Sequence, residues 1–334
     1  MKKRLLPAIC VALILLYAFT RRQPLQRFHL NGYAQGTTYS IVYYAADSLI
    51  SLKQTDSLLQ RFDESVSLYL PGSLICKFNR SVKGIRVDQH FQRLVREAIK
   101  IHRETDGLVD PTVKPLVDAW GFGAIKASHT PDSNEVKKLV KNVGLKYISL
   151  KGNFLYKTRP NIQLDLNGIA QGYAVDLLAN LLERQHIKSY LIELGGELRI
   201  KGTKPGNQPF TVGIEGISGF DAEPMRKVIE PPDGAITTSG NYRKQHEAGG
   251  KPISHLMNPL TGYPVNNEMI SITVYAQDAV TADGFDNGFM AMGLKRTLAY
   301  LAKHKNMGAY IVYRKADGSI KDTTTMSFKS KRPI

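Results

Sequence analysis

Three oxygen-bearing side chains crowd the stretch Ala282-Asp-Gly-Phe-Asp-Asn-Gly288, just ahead of the apolar run Phe289-Met-Ala-Met. On a helix opening near Asp283, the side chains of Asp283, Asp286 and Asn287 fall at i, i+3 and i+4 and share one face. One or two carboxylates with a neutral oxygen make a hard donor set, which suits magnesium completing its octahedron with water and substrate phosphate. Acidic residues at a helix start also favour the helix dipole. Spacing alone leaves both readings open.

A second segment, Asp165-Leu-Asn-Gly-Ile-Ala-Gln-Gly172, follows an alternating stretch Asn161 to Leu164 that reads as a strand, and it opens a helix read over Gly172 to Gln185. Glycine at such a junction lets backbone approach a ligand, and the free N–H groups of a helix start attract anions such as a pyrophosphate. A tight turn with Asp165 as local cap is the plainer alternative. Neither a Walker pattern nor a dinucleotide fingerprint is present. Three more segments close apolar runs with Gly, Pro and polar residues: Gly107-Leu-Val-Asp-Pro-Thr112 leading to Trp120-Gly-Phe-Gly123, Gly195-Gly-Glu197, and Ser254-His-Leu-Met-Asn-Pro-Leu-Thr-Gly-Tyr-Pro264. Loops on a rigid scaffold carry function. A hairpin turn at Gly195-Gly196, a core Trp120 and a structural His255 are the alternatives.

The elements that must position these residues are mixed in type. Thr37 to Tyr44 alternates and is rich in β-branched and aromatic residues, which predicts a strand. Apolar residues recur at helical spacing over Ser48 to Phe62 and over His90 to Glu104, where Phe91, Leu94, Val95, Ala98 and Ile101 make one stripe between an Asp88 cap and a Gly107 stop. Further strands are predicted at Tyr190 to Leu194, Leu198 to Lys201, Phe210 to Glu215, Ile270 to Ala276 and Ala309 to Tyr313. Strands in runs broken by single helices favour an α+β fold over a doubly wound one.

The 334 residues are 43% apolar and 22% charged, with a net charge of +16. That composition builds a globular core and favours anionic partners. No nucleic-acid module accompanies the charge, so nucleic acid is set aside as a partner. Residues 1–22 read as a signal peptide or membrane anchor: Lys2, Lys3 and Arg4 precede an apolar run from Leu5 to Phe19. Residues 23–29 read as a linker. The chain is therefore expected to be exported, to the periplasm or the outer face of the cytoplasmic membrane. Cys10 lies too early in the apolar run for a lipobox. Cys76 then has no internal disulfide partner.

Taken in order, these segments resemble the ApbE family of FAD:protein FMN transferases, over residues 30–334. Gly36-Thr-Thr-Tyr39 resembles the family's opening Met-Gly-Thr motif, with Gln35 in the Met place. The stretch Ser67 to Asn79 resembles its Tyr-containing segment ending in Phe-Asn. Asp165-Leu-Asn-Gly-Ile-Ala-Gln-Gly resembles its Asp-Leu-Gly-Gly-Ile-Ala-Lys-Gly motif. The resemblance implies one T-fold-like catalytic domain with mixed or antiparallel sheets and packed helices. It implies FAD contacts at Gln35, Tyr69, Leu108, Val109, Asp110, Asp165, Gln171, His255 and Met257. It also implies a Mg2+ held by Asp283, Asp286, Asn287 and the Gly168 carbonyl. Two departures stand out: Gln171 replaces a charged Lys or Glu, and Asn287 replaces Thr.

The implied reaction moves the FMN half of FAD onto a threonine of an acceptor protein, such as a subunit of a membrane redox pump, and releases AMP. Charge builds on phosphate oxygens in such a transfer, so positioning and a cation dominate. Asp283 and His255 are the implied catalytic residues, with His255 or a cluster carboxylate as candidate base. A Mg2+-dependent FAD pyrophosphatase and a non-catalytic flavin-binding module are the alternatives.

Overall fold

The computed structural model describes residues 24–123, 129–216, 225–241, 245–248, 251–325 and 329–331. The segment 1–22, read as signal or anchor, lies outside the described residues. Among the described residues, no helix is long and apolar enough to cross a membrane.

The first half of the chain runs through β1 (Gln26–Ala34), β2 (Thr37–Ala45), α1 (Leu52–Val66), α2 (Leu74–Arg80), β3 (Gly84–Arg86), α3 (Gln89–Glu104), α4 (Lys114–Ala119) and α5 (Ser133–Val140). It continues through β4 (Ile148–Lys151), β5 (Phe154–Lys157), α6 (Asn167–Arg184), β6 (Tyr190–Leu194), β7 (Glu197–Lys201), β8 (Val212–Glu215) and β9 (Met225–Glu230). The last part holds β10 (Gly234–Gly240), β11 (Gln245–Ala248), β12 (Lys251–Ser254), β13 (Met269–Ala276), α7 (Ala279–Met292), α8 (Leu294–Lys303), β14 (Gly308–Arg314), β15 (Ile320–Thr324) and β16 (Lys329–Lys331).

Eight strands form one sheet in the order β1-β2-β6-β7-β10-β13-β14-β15. Every strand pairing among the described residues is antiparallel, so the α+β class holds and no parallel pair accompanies it. Helices cover one face of this sheet. Phe62 from α1, Phe91 and Leu94 from α3, Leu178 from α6 and Phe285 and Phe289 from α7 join Ile41, Ile192, Ile272 and Val274 in the main core. Ile200, Phe210, Ile236, Tyr275 and Tyr310 build a second core on the opposite face. β13 is buried along its whole length because it serves both. A register shift between Met269 and Ser271 inserts an extra residue there, as a β-bulge does. Both Met269 and Ile272 thereby reach the main core while Ile270 stays in the second.

Where the sequence carried both a cap and a stripe, the element forms as predicted. Asp88 Oδ1 accepts the Phe91 N–H at 2.8 Å, and the five apolar residues named for α3 are all buried. The chain then turns at Gly107, whose φ is +79° and whose N–H reaches His102 O at 2.8 Å, a backbone shape that glycine adopts without cost. α1 starts later than predicted because Ser51 and Gln54 form a capping box, and it runs on to Val66.

Two predictions are corrected. Residues 26–29, read as linker, begin β1, which pairs along its length with β2. The stretch Asn161 to Leu164 forms no strand, because its polar backbone is held by a side chain instead. Asn79 donates Nδ2 to Leu164 O at 2.9 Å and accepts the Leu164 N–H through Oδ1 at 2.7 Å. Lys157, itself buried, donates Nζ to Ile162 O at 2.9 Å. These contacts deliver the chain to Asp165 without a sheet. Asn79→Ala is expected to cost roughly 2–4 kcal/mol, since it leaves both Leu164 backbone groups buried and unpaired. The urea unfolding midpoint measures this, and an unshifted midpoint at constant slope would show that the amide clamp contributes nothing.

Candidate functional site

α7 starts at Ala279, earlier than the glycine-rich segment suggests. Asp278 is its N-cap, with Oδ1 accepting the Thr281 N–H at 2.9 Å. Asp283 and Asp286 therefore lie beyond the first turn, which holds no acidic residue. The dipole explanation for them falls away. The glycines sit inside the helix because neighbours leave no room for side chains: a Cβ on Gly284 would lie 2.2 Å from Ile101 Cδ1 of α3.

α6 likewise starts at Asn167, so the segment Asp165 to Gly172 is mostly helix. It is not a glycine loop at a strand end. Its glycines let α6 approach α7. A Cβ on Gly172 would lie 2.3 Å from Ala279 O and 2.7 Å from Asp283 Cβ, and the Gly172 N–H donates to Asp283 Oδ2 at 2.8 Å. One turn back, the Gly168 carbonyl accepts from Asn287 Nδ2 at 3.3 Å. The amide also donates to Asp283 O at 3.1 Å, and its Oδ1 accepts from Ser239 on β10 at 3.2 Å.

This contact buries two like charges. Asp283 is 5% exposed and Asp286 2%. Burial pushes both carboxyls well above their ordinary range. The charge of Asp286 adds to the rise at Asp283, and Glu197 raises both, against the Gly172 N–H at Asp283 and Thr237 at Asp286. Asp286 Oδ1 is buried and has no hydrogen-bond partner among the described residues. An orphaned buried carboxylate oxygen beside a second carboxylate calls for a cation. No group of three His, Cys, Asp or Glu side chains suited to a metal occurs among the described residues. The donors are instead two carboxylates, a nearby backbone carbonyl and an amide, which fits a hard cation that keeps water and substrate phosphate in its shell. Asn287 presents nitrogen toward Gly168 and oxygen toward Ser239, so its amide must turn over to offer oxygen beside that carbonyl.

The other predicted residues are held by separate local contacts. Gln171 comes up against the β6–β7 turn: a Cβ on Gly195 would lie 2.7 Å from Gln171 Nε2 and 2.9 Å from Thr37 Cγ2. Gly195-Gly196 is the predicted hairpin turn. Gln35 turns the β1–β2 hairpin with φ +52° and donates Nε2 to Asp63 of α1 at 3.1 Å. Tyr69 follows α1 and is 71% exposed. Asp165 is held up in pKa by burial, accepts the Asn167 N–H at 2.8 Å, and donates its own N–H to Pro111 O at 2.7 Å. The 108–110 loop therefore touches the start of α6. Val109 also reaches α7, 3.3 Å from the place a Gly288 Cβ would take.

Asp110 and Met257 are each engaged within their own loops. Asp110 accepts from Thr112 N and Oγ1 at 2.8 and 2.6 Å and from Leu145 N at 3.0 Å, so its carboxylate shapes its own loop. The Met257 side chain is buried with Leu116 and Val143. His255 is half-buried, with its ring edge toward Phe122. Trp120 binds the same loop through Nε1 to Gly262 O at 2.9 Å. A cavity of about 360 Å³ lies past the C-terminal end of α7, lined by Asn267, Glu268, Ala291 and Lys295 among others; the acidic pair does not line it.

Glu197 was missed by sequence reasoning as a partner of the pair. It is 9% exposed and raises the pKa of both aspartates. A single Glu after a Gly-Gly turn carries no spacing that ties it to a helix so far along the chain.

This geometry accompanies close likeness to known proteins. The ApbE family profile matches residues 35–311. An FAD:protein FMN transferase of Vibrio cholerae is 35% identical over 328 residues, covering 96% of this chain and 97% of that protein. The Escherichia coli K12 protein of the same name is 31% identical over 292 residues, covering 86% and 78%. The solved flavin transferase ApbE from Vibrio cholerae superposes with a TM-score of 0.82 at 34% identity, covering 92% of this chain and 99% of that one. The apo flavinyl transferase ApbE of Pseudomonas stutzeri gives 0.81 at 28%, covering 90% and 95%. Relatives of matching length and common name make this chain a transferase enzyme. It belongs to the ApbE family.

Because burial lifts the folded Asp283 and Asp286 pKa values above the unfolded one of about 3.9, the metal-free fold holds protons that the unfolded chain has released. The pair's contribution to stability is expected to be fully present below that value and to be lost as pH rises through the folded values. For the same reason Asp286→Asn should raise the midpoint in EDTA at pH 7 by about 2–4 °C, while removing any stabilisation by added Mg2+. Calorimetric melting of both proteins from pH 4 to 8 checks both; a wild-type midpoint that gains on the variant's as pH rises would contradict the first.

Proposed function

We propose that this enzyme transfers the FMN moiety of FAD to a threonine hydroxyl of an acceptor protein, with Mg2+ bound, and releases AMP. The carrying observation is the buried Asp283–Asp286 pair with its unpartnered oxygen, set against the Gly168 carbonyl in a chain whose full-length relatives are named FAD:protein FMN transferases. Asp283, Asp286, Asn287 and the Gly168 carbonyl hold the cation. When bound, it supplies positive charge that offsets the negative charge building on the pyrophosphate oxygens.

In this reading the chain's own residues bind, orient and manage the proton. Gln35, Tyr69, Leu108, Val109, Asp110, Asp165, Gln171, His255 and Met257 surround FAD. Asp110 and Met257 contribute through the loops they pin. The threonine Oγ forms a bond to the FMN phosphorus, the bond from that phosphorus to the AMP oxygen breaks, and AMP leaves with the electron pair. The hydroxyl proton passes to His255 or to a carboxylate of the pair. Gln171 is neutral where the family often carries a charged Lys or Glu, so its amide binds FAD by hydrogen bonding rather than by charge.

We place the protein outside the cytoplasmic membrane, tethered or targeted by residues 1–22. An acceptor such as a subunit of a membrane redox pump is then within reach. The measurement that tests the reading is intact mass spectrometry of a threonine-containing acceptor domain after incubation with enzyme, FAD and Mg2+. An added FMN phosphoester, lost with EDTA and reduced at least about 100-fold in Asp283→Ala, supports transfer. Free FMN and AMP with an unmodified acceptor would replace it with hydrolysis, and intact FAD would remove the catalytic reading.

A further inference from the structure

α6 and α7 run antiparallel and touch through three polar contacts, each one helical turn from the next. On α6 they involve Gly168, Gly172 and Asp176; on α7 they involve Asn287, Asp283 and the N-terminal pair Ala279 and Val280. Steps of four on both helices keep all three on one seam. The first two contacts use residues assigned above to the cation. The third does not, and it is made by a pair of hydrogen bonds that both oxygens of one carboxylate accept.

Asp176 accepts the Ala279 N–H through Oδ1 and the Val280 N–H through Oδ2, both at 2.9 Å. These are the first two of the four backbone donors that a helix start leaves unpaired. Asp278 takes the third. A local cap such as Asp278 suffices to satisfy a donor, but it fixes nothing outside its own helix. A carboxylate 103 residues away in the chain ties the end of α7 to a defined point on α6. β7 completes the bracket. Arg199 Nη1 stands 3.8 Å from Asp176 Oδ1 and donates to Gln277 O just before the cap. Burial pushes the Asp176 carboxyl up to about 6 against the pull of the two N–H groups and Arg199, with Asp278 adding to the rise.

We propose that Asp176 is a positioning residue: by gripping the first turn of α7 it sets the axial register of the two helices, and with it the spacing between the Gly168 carbonyl and the Asp283–Asp286 carboxylates on which cation affinity depends. This inference rests on the cation-dependent reading of the site. A residue that acts through the orientation of ligands changes metal affinity more than it changes the fold.

The test is titration calorimetry of Mg2+ into the full chain in detergent, comparing wild type, Asp176→Ala and Asp88→Ala. The last removes a carboxylate cap of similar local worth from α3, whose Asp88 accepts from Phe91 N and Ser65 Oγ and takes no hydrogen bond from α6 or α7. Asp176→Ala is expected to weaken Mg2+ binding by at least about tenfold, with turnover recovering at raised Mg2+, while Asp88→Ala stays within about twofold of wild type. Wild-type affinity in a folded Asp176→Ala protein, or equal weakening in Asp88→Ala, would overturn the inference. Should Asp176→Ala not fold, Asp176→Asn keeps the shape and one acceptor oxygen, and the same thresholds apply to it. If wild type takes up no Mg2+, the cation site itself fails, and the inference goes with it.

Discussion

Two carboxylates of one helix are buried together, and the rest of the structure is arranged around that fact. Burial makes the charging of both Asp283 and Asp286 harder, Glu197 adds to it at each, and the charge of Asp286 adds to it at Asp283. A fold keeps such a pair only if the surroundings hold it in place. Here the holding is done by close backbone approach. Gly172 admits the Asp283 carboxylate to its N–H, Gly284 lets α3 press against the back of α7, and β10 supplies hydroxyls from Thr237 and Ser239. A methyl group at Gly172 or Gly284 would part these layers. The sheet contributes stiffness: β13 lies between two apolar cores, and α7 rests against it.

The loops that carry the other predicted residues have polar groups already committed. Asp110 is saturated by Thr112 and Leu145, Trp120 pins Gly262, and the Asp165 N–H is fixed to Pro111. A site made this way is organised before a ligand arrives, so binding does not have to order these loops. Gln35 and Tyr69, at the far end of α1, stand apart from that saturated zone. Tyr69 in particular is open to solvent and available to lie against a flat ring.

Much of this was legible in the sequence, for physical reasons that can be named. α3 announced itself because its cap, its apolar stripe and its stop are all local. The central strands β2, β6 and β13 were legible through β-branched and aromatic runs. The residues of the acidic cluster were legible as types, and so were the motifs that resemble the ApbE family. The acidic segment was rightly set on a helix, with only its start placed too late, since α7 begins at Ala279; Asn-Gly-Ile-Ala-Gln-Gly was read as a glycine junction, as intrinsic preference suggests. Both lie in helices, where tertiary contact makes glycine the residue that fits. β1 was missed because its alternation, Gln26 to Ala34, is partly exposed and follows an arginine-rich stretch. Glu197 and Asp176 were illegible for a different reason: each acts on groups far away by sequence, 103 residues in the case of Asp176, and no local pattern records that.

Those separations also bear on how the molecule comes into being. The contacts that join α6 to α7 span 103, 111 and 119 residues, and the sheet sets β2 beside β6 and β7 beside β10. Long loops must close before any of these contacts repays its entropy. The acidic pocket therefore cannot exist in a partly assembled chain, because α7 and the strands it rests on enter near the end of the sequence. Before that docking Asp283 and Asp286 are ordinary surface acids, and closing α7 against α6 is what buries them together. In this architecture, a buried acidic pair is itself a sign that segments more than a hundred residues apart have met.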